Sequence, residues 1–257
     1  MKLDGRTVVV TGGSGGIGLA VARELAKRDC RTVLCGRDPQ ALSRASASVP
    51  GSVTVQADLA TLEGRAHLVS VVQTEHPDTS VLVNCAGVIR NDRMGLDDLA
   101  ALREQTEINL VAPIELTLSL LDQLRGTGEG AVVNVTSGVA YVPIGRTAAY
   151  SATKAALHSY TLSLRERIRD RGVRVFELIP TAVDTPLMSG VEAPKISPER
   201  VAAALLAGME ADREEIRVGQ ASLLAAMSRL APRFILRKLN PRLSGDTEHA
   251  QTRMEQP

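Results

Sequence analysis

An α/β fold with a parallel sheet covered by helices on both faces is predicted from three observations. Short β-rich runs alternate with helical stretches along most of the chain. The first run ends in a cluster of glycines where a helix begins. The length of 257 residues suits one large α/β domain or two small ones.

The elements follow in order. Arg6 to Thr11 is a β-rich run, and Ile17 to Arg28 is helical, with Ile17, Val21 and Leu25 on one face. Arg31 to Cys35 is a second strand stopped by Gly36. A helix over Pro39 to Ala47 ends before Pro50 and Gly51. Val53 to Ala57 is a third strand, and Thr61 to Glu75 a helix stopped by Pro77. Val81 to Cys85 is a fourth strand. Leu96 to Leu124 is a long helical region, with Pro113 marking a kink or a first turn. Ala131 to Thr136 is a fifth strand, and Thr147 to Arg171 a helix closed by Gly172. Val173 to Ile179 is a sixth strand ended by Pro180. A helix from Pro198 to Met209 and a short strand at Ile216 to Val218 complete the pattern, and the polar end from Ser244 is expected to lack structure.

Composition excludes some functions. A net charge of +1 supplies no global field for nucleic acid, and two Phe, three Tyr and no Trp leave little for base stacking. Cys30, Cys35 and Cys85 lack metal-ligand spacing, so no metal is expected, and reduced thiols point to the cytoplasm. No apolar run is long enough to span a bilayer, and no signal peptide is evident.

Three places carry chemistry. Gly12, Ser14, Gly16, Ile17 and Gly18 lie between the first strand and its helix. There glycines permit a tight turn, and a helix N-terminus offers N–H groups to a pyrophosphate. The second strand ends in Gly36-Arg37 where an NAD site would carry an acid. Arg37 therefore suits the 2′-phosphate of NADP, unless it simply points into solvent. Tyr150 and Lys154 are one helical turn apart, with the Ser137 hydroxyl available for the same oxygen. The ammonium should draw the tyrosine pKa down from about 10, which equips the phenol for proton transfer.

Thr11-Gly12-Gly13-Ser14-Gly15-Gly16-Ile17-Gly18, Asn84-Cys85-Ala86-Gly87, Ser137 and Tyr150-Ser151-Ala152-Thr153-Lys154 stand in the order of the short-chain dehydrogenase/reductase family. The chain resembles its shorter, single-domain members up to the segment after the sixth strand. The resemblance implies a doubly wound (Rossmann) seven-stranded sheet holding a nicotinamide cofactor at the strand C-terminal edge. It assigns Asp58 and Leu59 to the adenine end, and Asn84, Ala86 and Gly87 to the loop beside the ribose and the sheet. Asn109 would hold a water linking Lys154 to solvent, unless it is an ordinary helix polar residue. Asp58 could instead cap the next helix. Pro180, Val183 and Thr185 would face the nicotinamide, and Asp184 to Lys195 would form a substrate lid. Two departures are Cys85, where a second Asn is common, and Thr181, where Gly is usual.

The expected function is an NADP(H)-dependent oxidoreductase for an alcohol or ketone, with Asn109, Ser137, Tyr150 and Lys154 as the catalytic set. A non-catalytic NADP-binding scaffold and a nucleotide-sugar epimerase or dehydratase are the alternatives. Residues 1–220 form the cofactor domain and 221–257 a basic helical tail. In that tail Leu223, Met227, Leu230 and Phe234 make an apolar stripe beside Arg229, Arg233 and Arg237. The stripe is expected to be covered by the protein itself, with a membrane surface as the other candidate. A homo-oligomer is implied, packed through Ala152, Ala155, Ala156 and Leu157.

Overall fold

The computed structural model describes residues 1–90, 99–169, 171–189 and 192–241. The expected helix start at Leu96, Gly190 of the lid, and the tail from Arg242 onward lie outside these residues.

Seven parallel strands form one sheet in the order β3-β2-β1-β4-β5-β6-β7. They are β1 (Thr7–Thr11), β2 (Arg31–Gly36), β3 (Val53–Gln56), β4 (Thr79–Asn84), β5 (Gly130–Val135), β6 (Val173–Pro180) and β7 (Glu215–Val218). The helices are α1 (Gly16–Ala26), α2 (Pro39–Ala47), α3 (Leu62–Glu75), α4 (Leu99–Thr106), α5 (Ala112–Gly126), α6 (Ala148–Ile168), α7 (Pro198–Glu210), α8 (Ala221–Leu230) and α9 (Pro232–Leu239).

Alternation along each strand builds two cores. Val8 and Val10 face one side, in a cluster with Val21 and Leu25 of α1 and Leu205 and Leu206 of α7. Val9 faces the other, with Leu68 of α3, Leu116 and Leu120 of α5 and Leu164 of α6. A sheet buried on both faces explains why its strands read as almost unbroken apolar runs. Strand order reverses between β1 and β4, which opens a crevice at their C-terminal ends.

The long fourth helical region is not continuous. Glu107–Val111 forms a π turn between α4 and α5. Pro113, in the first turn of α5, has no N–H for the regular ladder.

Candidate active site

The loop after β1 is shaped by contacts that only glycine allows. Gly12 has φ +68°, and a Cβ there would lie 2.9 Å from Ala86 Cα. A Cβ on Gly18 would lie 2.4 Å from the Gly12 carbonyl oxygen. Thr11 Oγ1 accepts the N–H groups of Cys85 and Ala86 at 3.0 Å each, which joins the ends of β1 and β4. The first turn of α1 carries neither an acidic side chain nor a side-chain cap, so its N–H groups face the loop. This cradle fits a dinucleotide pyrophosphate. Gly16 lies against Thr185, which brings the segment after β6 to the same loop.

Ser14 Oγ lies 3.1 Å from where a Gly36 Cβ would stand, so Ser14 and Arg37 share the end of β2. Arg37 is exposed, and its Nη1 is 3.4 Å from Glu104, which also pairs with Arg90 at 2.9 Å. Asp58 Oδ1 accepts the Ala60 N–H at 3.0 Å. The cap of α3 is Thr61, not Asp58. Leu59 buries its side chain in the core and its carbonyl accepts from Arg65. A contact from Leu59 to adenine would therefore run through its backbone N–H.

Asn84 is also placed differently from a ligand-facing side chain. It is buried, and its Nδ2 donates to Asn134 at 2.9 Å and to Thr117 at 3.2 Å. Asn134 then donates to Thr161 at 2.9 Å. This ladder joins β4, β5, α5 and α6 beneath the crevice.

The catalytic candidates converge at the C-terminal end of β5. Ser137 follows that strand and starts a short 3-10 turn, with its Oγ accepting the Val139 N–H at 3.4 Å and lying beside the Tyr150 phenol. Lys154 Nζ donates to the Val135 carbonyl at 2.8 Å and lies 5.7 Å from the Tyr150 ring centroid. The expected fall in the Tyr150 pKa is not found. Burial pushes the phenol up to about 12, and the nearby Ser137 hydroxyl only partly opposes it. The same burial takes Lys154 down to about 8.

Asn109 lies in the π turn with no solvent exposure. Its Nδ2 donates to the Val88 carbonyl at 2.8 Å and to Thr153 Oγ1 at 3.3 Å, and its Oδ1 accepts the Val88 N–H at 2.9 Å. A Cβ on Gly87 would lie 3.4 Å from Asn109 Oδ1 and 3.7 Å from Lys154 Nζ, so both groups flank that glycine. Sequence reasoning missed Thr11 and Thr153 as the fasteners of this loop, since neither stands out by spacing.

Pro180 at the end of β6 and Val183 beyond it are buried, and Val183 bridges to Ile196. Thr185 donates to the Val183 carbonyl at 3.4 Å. Within the segment expected to form a lid, residues 186–188 make a short 3-10 turn. Thr181, replacing the usual Gly, packs between two glycines. Cβ atoms on Gly219 and Gly138 would lie 2.4 Å from its Oγ1 and 3.2 Å from its Cγ2.

The tail helices flank this site. Leu224 Cδ1 would meet a Gly138 Cβ at 2.9 Å, and Asn240 accepts the Gly145 N–H at 2.6 Å and donates to the Pro143 carbonyl at 2.9 Å. The expected covering of the stripe by the protein itself is not seen: Met227 is half-buried, while Leu223, Leu230 and Phe234 are 55%, 82% and 60% exposed, and it is Ala225 and Ile235 beside them that turn inward. The two helices meet at Ala231-Pro232, so the stripe does not follow one axis.

The sequence profile of the short chain dehydrogenase family matches residues 6–195. The chain belongs to the short-chain dehydrogenase family. An uncharacterized oxidoreductase, DltE, of Bacillus subtilis (strain 168) is 39% identical over 189 residues, 73% of this chain and 75% of that one. The ketoacyl reductase HetN of Nostoc sp. (strain PCC 7120) is 29% identical over 208 residues, 75% of this chain and 72% of its own. The crystal structure of a short chain dehydrogenase from Burkholderia cenocepacia J2315, in complex with NADP, superposes with a TM-score of 0.79. It has 26% identity and covers all of both chains. The protein is thus a dehydrogenase/reductase acting on CH–OH and C=O groups. Among the described residues no helix is long and apolar enough to cross a membrane, and no His, Cys, Asp and Glu group could hold a metal ion.

Proposed function

We propose that this short-chain dehydrogenase is an NADP(H)-dependent oxidoreductase for an alcohol or ketone, with Tyr150 as general acid and base. The observation that carries this is the convergence of Ser137, Tyr150 and Lys154 at the end of β5, where Lys154 Nζ donates to the Val135 carbonyl and lies 5.7 Å from the Tyr150 ring centroid. Gly12, Gly16, Ile17 and Gly18 would hold the pyrophosphate, Ser14 and Arg37 the 2′-phosphate, and Asp58 and the Leu59 backbone the adenine. Ala86 and Gly87 would flank the ribose, and Pro180, Val183 and Thr185 the nicotinamide, which when bound supplies the hydride.

In reduction, the Tyr150 hydroxyl gives its proton to the carbonyl oxygen as negative charge develops there, and Ser137 Oγ–H donates to the same oxygen. Lys154 stabilises the phenolate left behind. Asn109 Oδ1 keeps one lone pair after accepting from Val88, and this would hold the water that reconnects Lys154 with solvent. In oxidation each step runs backward. The scaffold alternative leaves the buried Tyr150 and Lys154 beside Ser137 without a purpose. The epimerase alternative predicts no net cofactor consumption. Assay of NADPH and NADH consumption over ketones of graded size tests the reading. No consumption with any carbonyl contradicts it, and equal use of both cofactors contradicts the NADP preference.

The NADP complex of the Burkholderia protein supports that preference by similarity. Glu104, beside Arg37, opposes it until the guanidinium turns to the phosphate. Three free cysteines suit the reducing cytoplasm. A homo-oligomer is supported by Leu118 on α5 and Leu162 on α6, 58% and 37% exposed. Leu157 belongs to its own core and not to that face. Light scattering at low micromolar concentration showing only monomer contradicts the oligomer.

A further inference from the structure

Glu177, in the middle of β6, is a carboxylate with no solvent exposure. A charge so placed requires partners. Its Oε1 accepts the Thr136 hydroxyl at 2.6 Å. His158 Nδ1 lies 2.8 and 2.9 Å from the two carboxylate oxygens. His158 is on α6, one turn beyond Lys154 and two beyond Tyr150, on the same helix face.

Three consecutive residues at the end of β5 are therefore tied to three consecutive turns of α6. Val135 receives Lys154, Ser137 lies beside Tyr150, and Thr136 reaches His158 through Glu177. His158 also touches the chain on the other side of Ser137. Its ring meets Tyr141 edge-on, with centroids 5.1 Å apart and planes at 77°. Tyr141 closes the 3-10 turn that Ser137 opens, and its hydroxyl accepts from Arg217 Nε at 3.3 Å. The catalytic serine is thus held from Thr136 before it and Tyr141 after it.

We propose that His158 and Glu177 are positioning residues: their pair holds Thr136 and Tyr141 so that the Ser137 hydroxyl stays beside the Tyr150 phenol. This rests on the Ser137–Tyr150 reading above. The groups around His158 are Glu177 on β6, Glu215 and Arg217 on β7, Arg165 on α6 and Tyr141. The hydrogen bond to Glu177 chiefly raises the imidazole pKa, aided by Glu215 and opposed by burial and Arg165. A raised folded pKa means the imidazolium–carboxylate pair is complete below about 6.5. It weakens as pH rises through the folded value.

Glu177→Gln keeps an acceptor for Thr136 and for His158 and removes the charge. Its kcat for carbonyl reduction should fall, with KM and the NADPH dissociation constant unchanged. The wild-type decline of kcat that follows the His158 NMR titration midpoint should disappear. His158→Leu leaves Glu177 unpaired and is expected to fold poorly, so the decisive variant is His158→Leu/Glu177→Leu, which removes both charges. It should regain thermal stability while kcat stays low by on the order of ten- to a hundredfold. Wild-type kcat in the folded double variant means that the pair serves stability alone and overturns the proposal. So does a wild-type kcat that ignores the His158 midpoint, a measurement needing no variant. Failure of the underlying reading is seen separately, as activity retained in Tyr150→Phe.

Discussion

Lys154 sets its Nζ 5.7 Å from the centroid of the Tyr150 ring and donates to the Val135 carbonyl, not to the phenol oxygen. The ammonium is therefore anchored to the strand that carries Ser137. Its influence on Tyr150 is electrostatic, across the ring face. Burial wins over that influence, raising the phenol to about 12 and lowering the amine to about 8.

The depressed Lys154 pKa carries a stability cost with a definite sign. Below about 8 the folded protein holds a buried charge that the unfolded chain holds in water. Between about 8 and 10.5 the unfolded state binds more protons, so stability recovers as pH rises. Lys154→Met should therefore be inactive yet melt higher at pH 7, by roughly 2–4 °C for each kcal/mol relieved. The gap should shrink by pH 10. Thermal unfolding at both values checks this; a variant less stable than wild type at pH 7 contradicts it.

Arg37→Ala should raise the NADPH Michaelis constant by roughly tenfold or more and leave NADH little changed. The lost charge-assisted contact is worth about 1.5–3 kcal/mol. Glu104→Gln, which frees Arg37, should move NADPH affinity the other way. Steady-state kinetics with both cofactors decide it, and an unchanged NADPH constant in Arg37→Ala sinks the assignment.

Asn84→Ala should lower stability by about 1–3 kcal/mol, because it strips a partner from buried Asn134. NADPH affinity of the folded protein should change little, since the side chain faces Asn134 and Thr117. Denaturant unfolding and cofactor titration separate the two effects. A large affinity loss at unchanged stability would mean that Asn84 serves the ligand directly.

Leu224→Ala, and truncation before Ala221, should raise the KM for the carbonyl substrate with NADPH affinity intact, because Leu224 packs on Gly138 beside Ser137. Anionic vesicles that capture the full chain and not the truncated one, with capture fading in salt, would assign the exposed Leu223, Leu230 and Phe234 to a membrane surface. Unaltered KM in both variants removes the tail from the substrate site.

Much of this architecture was legible because strand and helix periods alternate so regularly. Each strand is found within about two residues of its expected place. The convergence of Ser137, Tyr150 and Lys154 was readable because it depends on residue type and spacing. The π turn around Asn109 was not, since it goes with the missing Pro113 N–H and the Asn109 hydrogen bonds to the Val88 backbone, neither of which is a periodic pattern. The direction of the Tyr150 pKa was misjudged because a charge four residues away is visible in sequence, whereas the extent of burial is a property of the whole fold. Glu177 left a sign, an acid inside the apolar run V-R-V-F-E-L-I-P, but its partners His158 and Thr136 come from other elements.

The most direct measurement is the turnover of Tyr150→Phe with NADPH and a carbonyl substrate, alongside its thermal stability and cofactor affinity. The substitution removes one oxygen, leaves the ring over which Lys154 lies, and takes away the proton donor beside Ser137. The predicted result is a loss of roughly a hundredfold or more in kcat, with fold and NADPH affinity retained. Near-wild-type turnover in Tyr150→Phe would contradict the account.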